Sequence, residues 1–257
     1  MDQPAAILEL ENVAKSFGGL AAVRDLSFAV RPGAITTLIG GNGAGKTTIF
    51  NLITGFLRPD QGVIRFRGRS LDGLPPERVA RAGISRGFQE LRLFNRLQAS
   101  DNILVAIPGQ RGESIIRALL GGAALRSENR RNEARGRALL ESLSLEPEAA
   151  ALAEQLSYGQ QKLLALGRLL AAEGELLLLD EPTSGLGPAM VDDFCGRMRR
   201  LVEGGKTILL IEHNFEIVMR VSDWVIVMHQ GTKIAEGVPS EIRSNAAVMH
   251  AYLGIAA

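Results

Sequence analysis

The sequence predicts an α/β protein built on a parallel sheet, with a mostly helical segment inserted into it. Three observations carry this reading. Strand-like apolar runs at residues 34–39, 176–179, 207–211 and 224–228 alternate with segments of helical periodicity. The first of these runs leads straight into a glycine-rich loop and then a helical pattern over residues 47–54. Between residues 100 and 156 β-branched residues thin out, and Ala, Leu, Glu and Arg, all strong helix formers, take over. The 257 residues are therefore expected to form one domain, 1–257, with a helical subdomain over about 90–165 inserted within it.

The elements follow in order. Residues 7–13 alternate apolar and polar, as a half-buried strand does, and so do residues 26–30, which Arg31-Pro32-Gly33 ends in a turn. Residues 34–39 are almost continuously apolar, the pattern of a buried parallel strand. Past the first helix, Arg58-Pro59-Asp60-Gln61-Gly62 reads as a turn and Val63-Ile64-Arg65-Phe66 as a short strand. Arg111-Gly112 and Gly121-Gly122 punctuate the helical middle. There Arg126, Arg130, Arg131, Arg135 and Arg137 are expected to form a solvated helix face. A short helix is expected over residues 248–253.

Composition narrows the class. Hydrophobic residues make up 46% and charged residues 22%, which excludes a disordered or collagen-like chain. A single cysteine, Cys195, excludes an internal disulfide framework and fits a reducing compartment. No apolar run approaches the roughly 18 residues that suggest a membrane span. The N-terminus lacks the basic-then-apolar pattern of a secretory signal. A net charge of +1 argues against a basic nucleic-acid binder.

Gly40-Gly41-Asn42-Gly43-Ala44-Gly45-Lys46-Thr47 has the P-loop spacing, between a strand and a helix, which makes the core a P-loop nucleoside triphosphatase by expectation. Glycines let the backbone curl so that its N–H groups face a phosphate, and the helix start adds partial positive charge. Lys46 reaches the terminal phosphates and Thr47 offers a hydroxyl to Mg²⁺, with Thr48 next to it in the phosphate-binding set. Only five of the 29 basic residues are lysine, so Lys46 is no accident of composition.

The run 176–179 ends in Asp180-Glu181. In parallel sheets ligands sit beyond the carboxyl ends of strands, which places Asp180 near the phosphates, suited to Mg²⁺. Glu181, expected to point the other way along the pleat, is placed to polarise an attacking water, a role worth about 10²–10⁴ in rate. A GTPase is a poor fit, because none of the five lysines follows an asparagine.

Leu156-Ser157-Tyr158-Gly159-Gln160-Gln161 begins twenty residues before the Leu176 run and reads as a capped helix start at Ser157. It resembles the signature sequence of the ATP-binding-cassette (ABC) family. The resemblance spans essentially the whole chain and assigns roles residue by residue. Ser157, Gly159 and Gln160 would bind the γ-phosphate held by another subunit's P-loop. Gln89 would sense Mg²⁺ and water, His213 would contact the γ-phosphate, and Phe17, with Val23 packed beside it, would stack on adenine. The family fold adds a small antiparallel β part to the ATP-binding core. One P-loop and one signature per chain imply a dimer with ATP sandwiched at the interface.

Two departures stand out. Gly41 stands where many relatives have proline. Gly187 stands where relatives usually have Asp or Asn, in the loop that crosses the dimer interface. Within the family, residues 15–23, 88–94, 211–215 and 235–254 are similar to the ATPase subunits of branched-chain (hydrophobic) amino acid importers, and the long 105–156 stretch to the longer of the two. Such a system implies a related but different second ATPase subunit, two integral membrane permease subunits and, indirectly, a periplasmic binding protein, with no nucleic acid. It also implies a peripheral place on the cytoplasmic face of the inner membrane. Leu91, Leu93, Phe94 and Leu97 either line a groove for a helix of the membrane subunit or form subdomain core. Alternatives are an importer of urea or short amides and a non-transport cassette.

Overall fold

The computed structural model describes residues 5–88, 91–110 and 122–248. The chain divides into two compact units, one of Met1–Arg86 with Glu175–Ala257 and one of Gly87–Gly174. The helices are α1 (Lys46–Ile53) and α2 (Pro76–Ala82) in the first unit and α3 (Ala99–Ala106), α4 (Gly122–Ser142) and α5 (Tyr158–Ala171) in the second. Then come α6 (Pro188–Glu203), α7 (Phe215–Val221) and α8 (Pro239–Ser244), again in the first.

The first unit opens with an antiparallel sheet in the order β2-β1-β4-β5, from β1 (Leu8–Phe17), β2 (Leu20–Val30), β4 (Gln61–Phe66) and β5 (Arg69–Ser70). Alternation drives β1: Leu8, Leu10 and Val13 are buried while Glu11 and Asn12 are exposed. The inward set moves from even to odd numbers because a register shift falls between Leu10 and Val13. Asn12 takes a left-handed φ of 49° there. Ser27 Oγ secures it, accepting from Asn12 N at 2.8 Å and donating to Asn12 Oδ1 at 3.0 Å.

The second sheet runs β10-β9-β3-β8-β7-β6, from β3 (Ile35–Gly40), β6 (Ile84–Phe88), β7 (Leu176–Asp180), β8 (Thr207–Ile211), β9 (Trp224–His229) and β10 (Thr232–Gly237). Strands β9, β3, β8 and β7 pair in parallel, and β10 returns antiparallel to β9. Every residue of β3, β7 and β8 is buried, which is why these strands read as continuous apolar runs. One core joins Leu8 and Phe28 of the first sheet to Leu178, Leu209 and Ile226 of the second, with Phe50 of α1 fully buried in it. Helices α7 and α8 pack on Ile39, Val225 and Val227 through Val218 and Ile242.

The second unit is helical. Gly167 of α5 lies so close to α3 that an added Cβ would stand 2.6 Å from Ile103 Cδ1. Asn102, fully buried on α3, anchors the preceding loop. It accepts from Phe94 N at 2.9 Å and donates to the carbonyls of Phe94 (3.1 Å), Leu97 (3.3 Å) and Gln98 (3.1 Å). Phe94 and Leu97 remain exposed and Leu91 and Leu93 are half-buried, so these four are not simply subdomain core. Arg126, Arg130, Arg131 and Arg137 are solvated, whereas Arg135 pairs with Glu173 at 2.5 Å.

Candidate functional site

The P-loop closes because its glycines answer different demands. Gly45, the N-cap of α1, has φ 96°, and an added Cβ would meet the carbonyl oxygen of Ala22 at 2.4 Å. A Cβ added at Gly40 would likewise meet Met228 O at 2.4 Å. These two press the loop against β2 and β9. A Cβ added at Gly41 or Gly43 would meet nothing within 4 Å, so these two face open space. Lys46 curls back and donates from Nζ to the carbonyls of Gly40 (2.7 Å) and Gly41 (3.1 Å). Burial pulls its ammonium below the usual lysine range, while the carboxylates of Glu181 and Asp180 push the other way. Thr47 is exposed and Thr48 half-buried on the first turn of α1, Ala44 is buried and Asn42 exposed.

Asp180 ends β7 with its side chain only 4% exposed. Its Oδ2 is buried and faces Arg86 Nη2 at 3.5 Å. Burial raises its carboxyl above the ordinary range. Arg86 and Lys46 oppose that rise and Glu181 adds to it. Arg86 also donates to Asn51 Oδ1 at 2.6 Å and lies 5.6 Å from the Phe50 ring centroid, so it links β6, β7 and α1. Sequence reasoning passed over Arg86. The available signal is a guanidinium in a short, otherwise uncharged strand, three residues before Gln89.

Glu181 departs from the expected geometry. It lies past the strand end at φ 52°, so a left-handed turn rather than the pleat directs its side chain. Its N–H donates to Ile211 O at 2.9 Å, which carries the β7·β8 ladder one residue further. Glu181 Oε1 lies 3.5 Å from His213 Nδ1. Between β8 and that histidine stands Glu212, fully buried, a second residue that received no role from sequence. Its Oε1 accepts from Thr183 Oγ1, and its Oε2 accepts from the N–H groups of His213 (3.0 Å) and Asn214 (3.4 Å).

Phe17 stays 45% exposed at the β1–β2 hairpin, with Lys15 Nζ 5.7 Å from its ring centroid. Val23 is buried, its Cγ2 facing Gly45 rather than the hairpin tip. In the second unit, Ser157 caps α5: its Oγ accepts from Gln160 N at 3.4 Å, and Gln160 Oε1 accepts from Ser157 N at 2.9 Å. Gln160 Nε2 donates to Glu148 Oε1 at 2.9 Å, so its side chain is committed to the cap. Gly159 occupies the first turn of α5. Gln89 lies outside the described residues.

Within the first unit, then, a phosphate-cradling loop, a buried strand-end carboxylate and a carboxylate–histidine pair converge, as a nucleoside triphosphatase requires. Among the described residues no three His, Cys, Asp or Glu side chains cluster to hold a metal by themselves. The buried strand-end Asp180 carboxylate, with hydrogen-bonding capacity left at Oδ2, fits Mg²⁺, which favours one or two carboxylates plus phosphate oxygens over an all-protein cage.

Comparison with known proteins agrees. Residues 23–184 match the ABC transporter family model, and residues 232–257 match that of the branched-chain amino acid ATP-binding cassette transporter. The high-affinity branched-chain amino acid transport ATP-binding protein LivG of Salmonella typhimurium is 41% identical over 99% of both chains. BraF of Pseudomonas aeruginosa, of the same description, is 39% identical over 96% of this chain and 98% of its own. A nucleotide-free ATP-binding cassette from an ABC transporter superposes with a TM-score of 0.83 at 32% identity, covering 98% of this chain and 100% of that one. The chain belongs to the ABC transporter family, as an ATP-binding cassette with ATPase activity. The fold expected from sequence, an α/β P-loop core with a small antiparallel sheet, is the one found.

Proposed function

We propose that this chain is the ATP-hydrolysing subunit of a multi-subunit importer of branched-chain, hydrophobic amino acids. The observation that carries the hydrolytic part is the convergence of Lys46, Asp180, Glu181 and His213 in one unit. The cargo rests on similarity to the LivG and BraF proteins over nearly their whole length.

Gly40 to Thr48 wrap the phosphates, with the open faces at Gly41 and Gly43 letting backbone N–H groups approach. Lys46 leaves the loop carbonyls for the terminal phosphates. Thr47, Asp180 and Gln89 hold Mg²⁺, which when bound offsets charge on the phosphate oxygens. Phe17 supplies an exposed ring for adenine, and Val23 supports the loop from below. Glu181 orients the attacking water and takes its proton. His213, 3.5 Å away, holds that carboxylate and reaches the γ-phosphate.

Ser157 and Gly159 complete the opposing site on a second cassette, while Gln160 shapes the helix cap that presents them. Closure of the dimer over ATP then moves two membrane subunits, against which the exposed Phe94 and Leu97 dock. A related second ATPase subunit and a binding protein for the cargo complete the assembly. No helix among the described residues is long and apolar enough to cross a membrane, which suits a peripheral subunit on the cytoplasmic face. Residues 90–165 serve as its helical subdomain within one domain spanning 1–257.

The Glu181→Gln variant tests the hydrolytic part. It should bind ATP with wild-type affinity and turn over at least about 10²-fold more slowly. Turnover within a few-fold of wild type would remove Glu181 from the role of base.

A further inference from the structure

Glu181 is held at φ 52°, a left-handed backbone conformation that a non-glycine residue rarely adopts. Such a residue persists only where its surroundings over-determine it. On the strand side the tie is plain: Glu181 N donates to Ile211 O at 2.9 Å. On the other side the chain turns twice, with Ser184 N on Glu181 O at 3.3 Å and Leu186 N on Thr183 O at 3.2 Å. Gly187 follows, with no side chain and nothing within 4 Å of where one would begin. Besides Glu181 itself, Thr183 of this turn reaches the neighbouring loop: it is buried and donates to Glu212 Oε1. The other oxygen of Glu212 takes the backbone N–H groups of His213 and Asn214. A single buried carboxylate therefore grips the loop that follows Glu181 and the loop that carries His213.

From this geometry we propose that Glu212 is a positioning residue. With Thr183 it clamps the Glu181 turn to the His213 loop and sets the separation of the carboxylate and the imidazole. Its hydrogen bonds run to Thr183, His213 and Asn214. Its carboxylate suits the task because three donors converge on it from two loops, and a carboxylate has an acceptor at each oxygen. An amide in its place accepts at one atom only and turns donors toward the other loop. The inference rests on Glu181 being the base.

The test uses the full chain and separates kcat from KM for ATP. Thr183→Val removes one donor at nearly constant shape, Thr183→Ser restores it, and Glu212→Gln keeps shape while losing one acceptor. For Thr183→Val and Glu212→Gln, kcat should fall about ten- to a hundredfold, the scale of an active-site misplacement. KM and fluorescent-ATP affinity should stay within about threefold and Thr183→Ser within about twofold of wild type. Melting curves and circular dichroism on each variant exclude those that fail to fold, and Thr183→Ser against Thr183→Val keeps the test alive if Glu212→Gln is among them. Wild-type kcat in Thr183→Val, or a loss of ATP affinity equal to the loss of kcat, overturns the clamp. If Glu181→Gln in parallel also keeps its turnover, it is the assignment of the base that has failed.

Discussion

Replacing the P-loop glycines one at a time by alanine should give a graded series, and the grading can be worked from their surroundings. Gly45→Ala carries two costs. At φ 96° an alanine is strained by about 1–2 kcal/mol. Its Cβ would stand 2.4 Å from Ala22 O, a backbone atom that cannot swing aside, adding an overpacking cost of about 1–3 kcal/mol. The sum is about 2–5 kcal/mol, or about 4–20 °C in Tm for a chain of this size. Gly43→Ala, at φ 76° with nothing within 4 Å, pays only the strain, about 1–2 kcal/mol. Gly41→Ala meets nothing within 4 Å and has no left-handed φ, so it should be neutral or stabilise by about 0.4–1 kcal/mol. The assay is urea and thermal unfolding of the nucleotide-free protein. Equal losses at all three positions, or the largest at Gly41, would refute the reasoning.

Two further predictions follow from buried polar groups. Burial leaves the folded-state pKa of Asp180 above its unfolded value, so the folded protein binds the proton more readily. Stability from this site is present at acid pH and lost as pH rises from the ordinary carboxylate range through the raised value. Asp180→Asn should therefore melt higher than wild type at pH 7 without nucleotide. The gain should vanish at acid pH, and MgATP should stabilise the variant less; a lower Tm at pH 7 would contradict this. In the helical unit, Asn102→Ala removes the acceptor of the part-buried Phe94 N–H and the donor to three carbonyls. It should cost about 2–3 kcal/mol in urea unfolding, and a loss below about 0.5 kcal/mol would show that water replaces the amide.

The parts of the fold that are legible in the sequence are those whose burial is two-sided. Strands β3, β7 and β8 bury every residue, so their apolar runs stand out without help from periodicity. The P-loop is legible because conformation and chemistry both demand glycines at fixed spacing before Lys46. Strand β10 escapes recognition: it is an edge strand, with Lys233 and Glu236 paired across its surface and a single buried residue. The length of β1 is hidden by the bulge at Asn12, which breaks the alternation midway. Glu181 is identifiable by type and place, but its left-handed turn depends on Ile211 O, a contact distant in sequence. Arg86 and Glu212 escape for a shared reason. Each works by touching groups on other elements, Asn51 and Asp180 for one, Thr183 for the other, and pattern along the chain does not report such contacts.

The central claim is that hydrolysis by Glu181 drives uptake of branched-chain amino acids. Its most direct test is entry of labelled leucine, with urea as comparator, into cells lacking their own copy of this gene and complemented with wild type or Glu181→Gln. Wild type should restore leucine entry, Glu181→Gln should not, and urea entry should be indifferent to both. Leucine entry that ignores the gene, or that Glu181→Gln restores as well as wild type, would contradict the account.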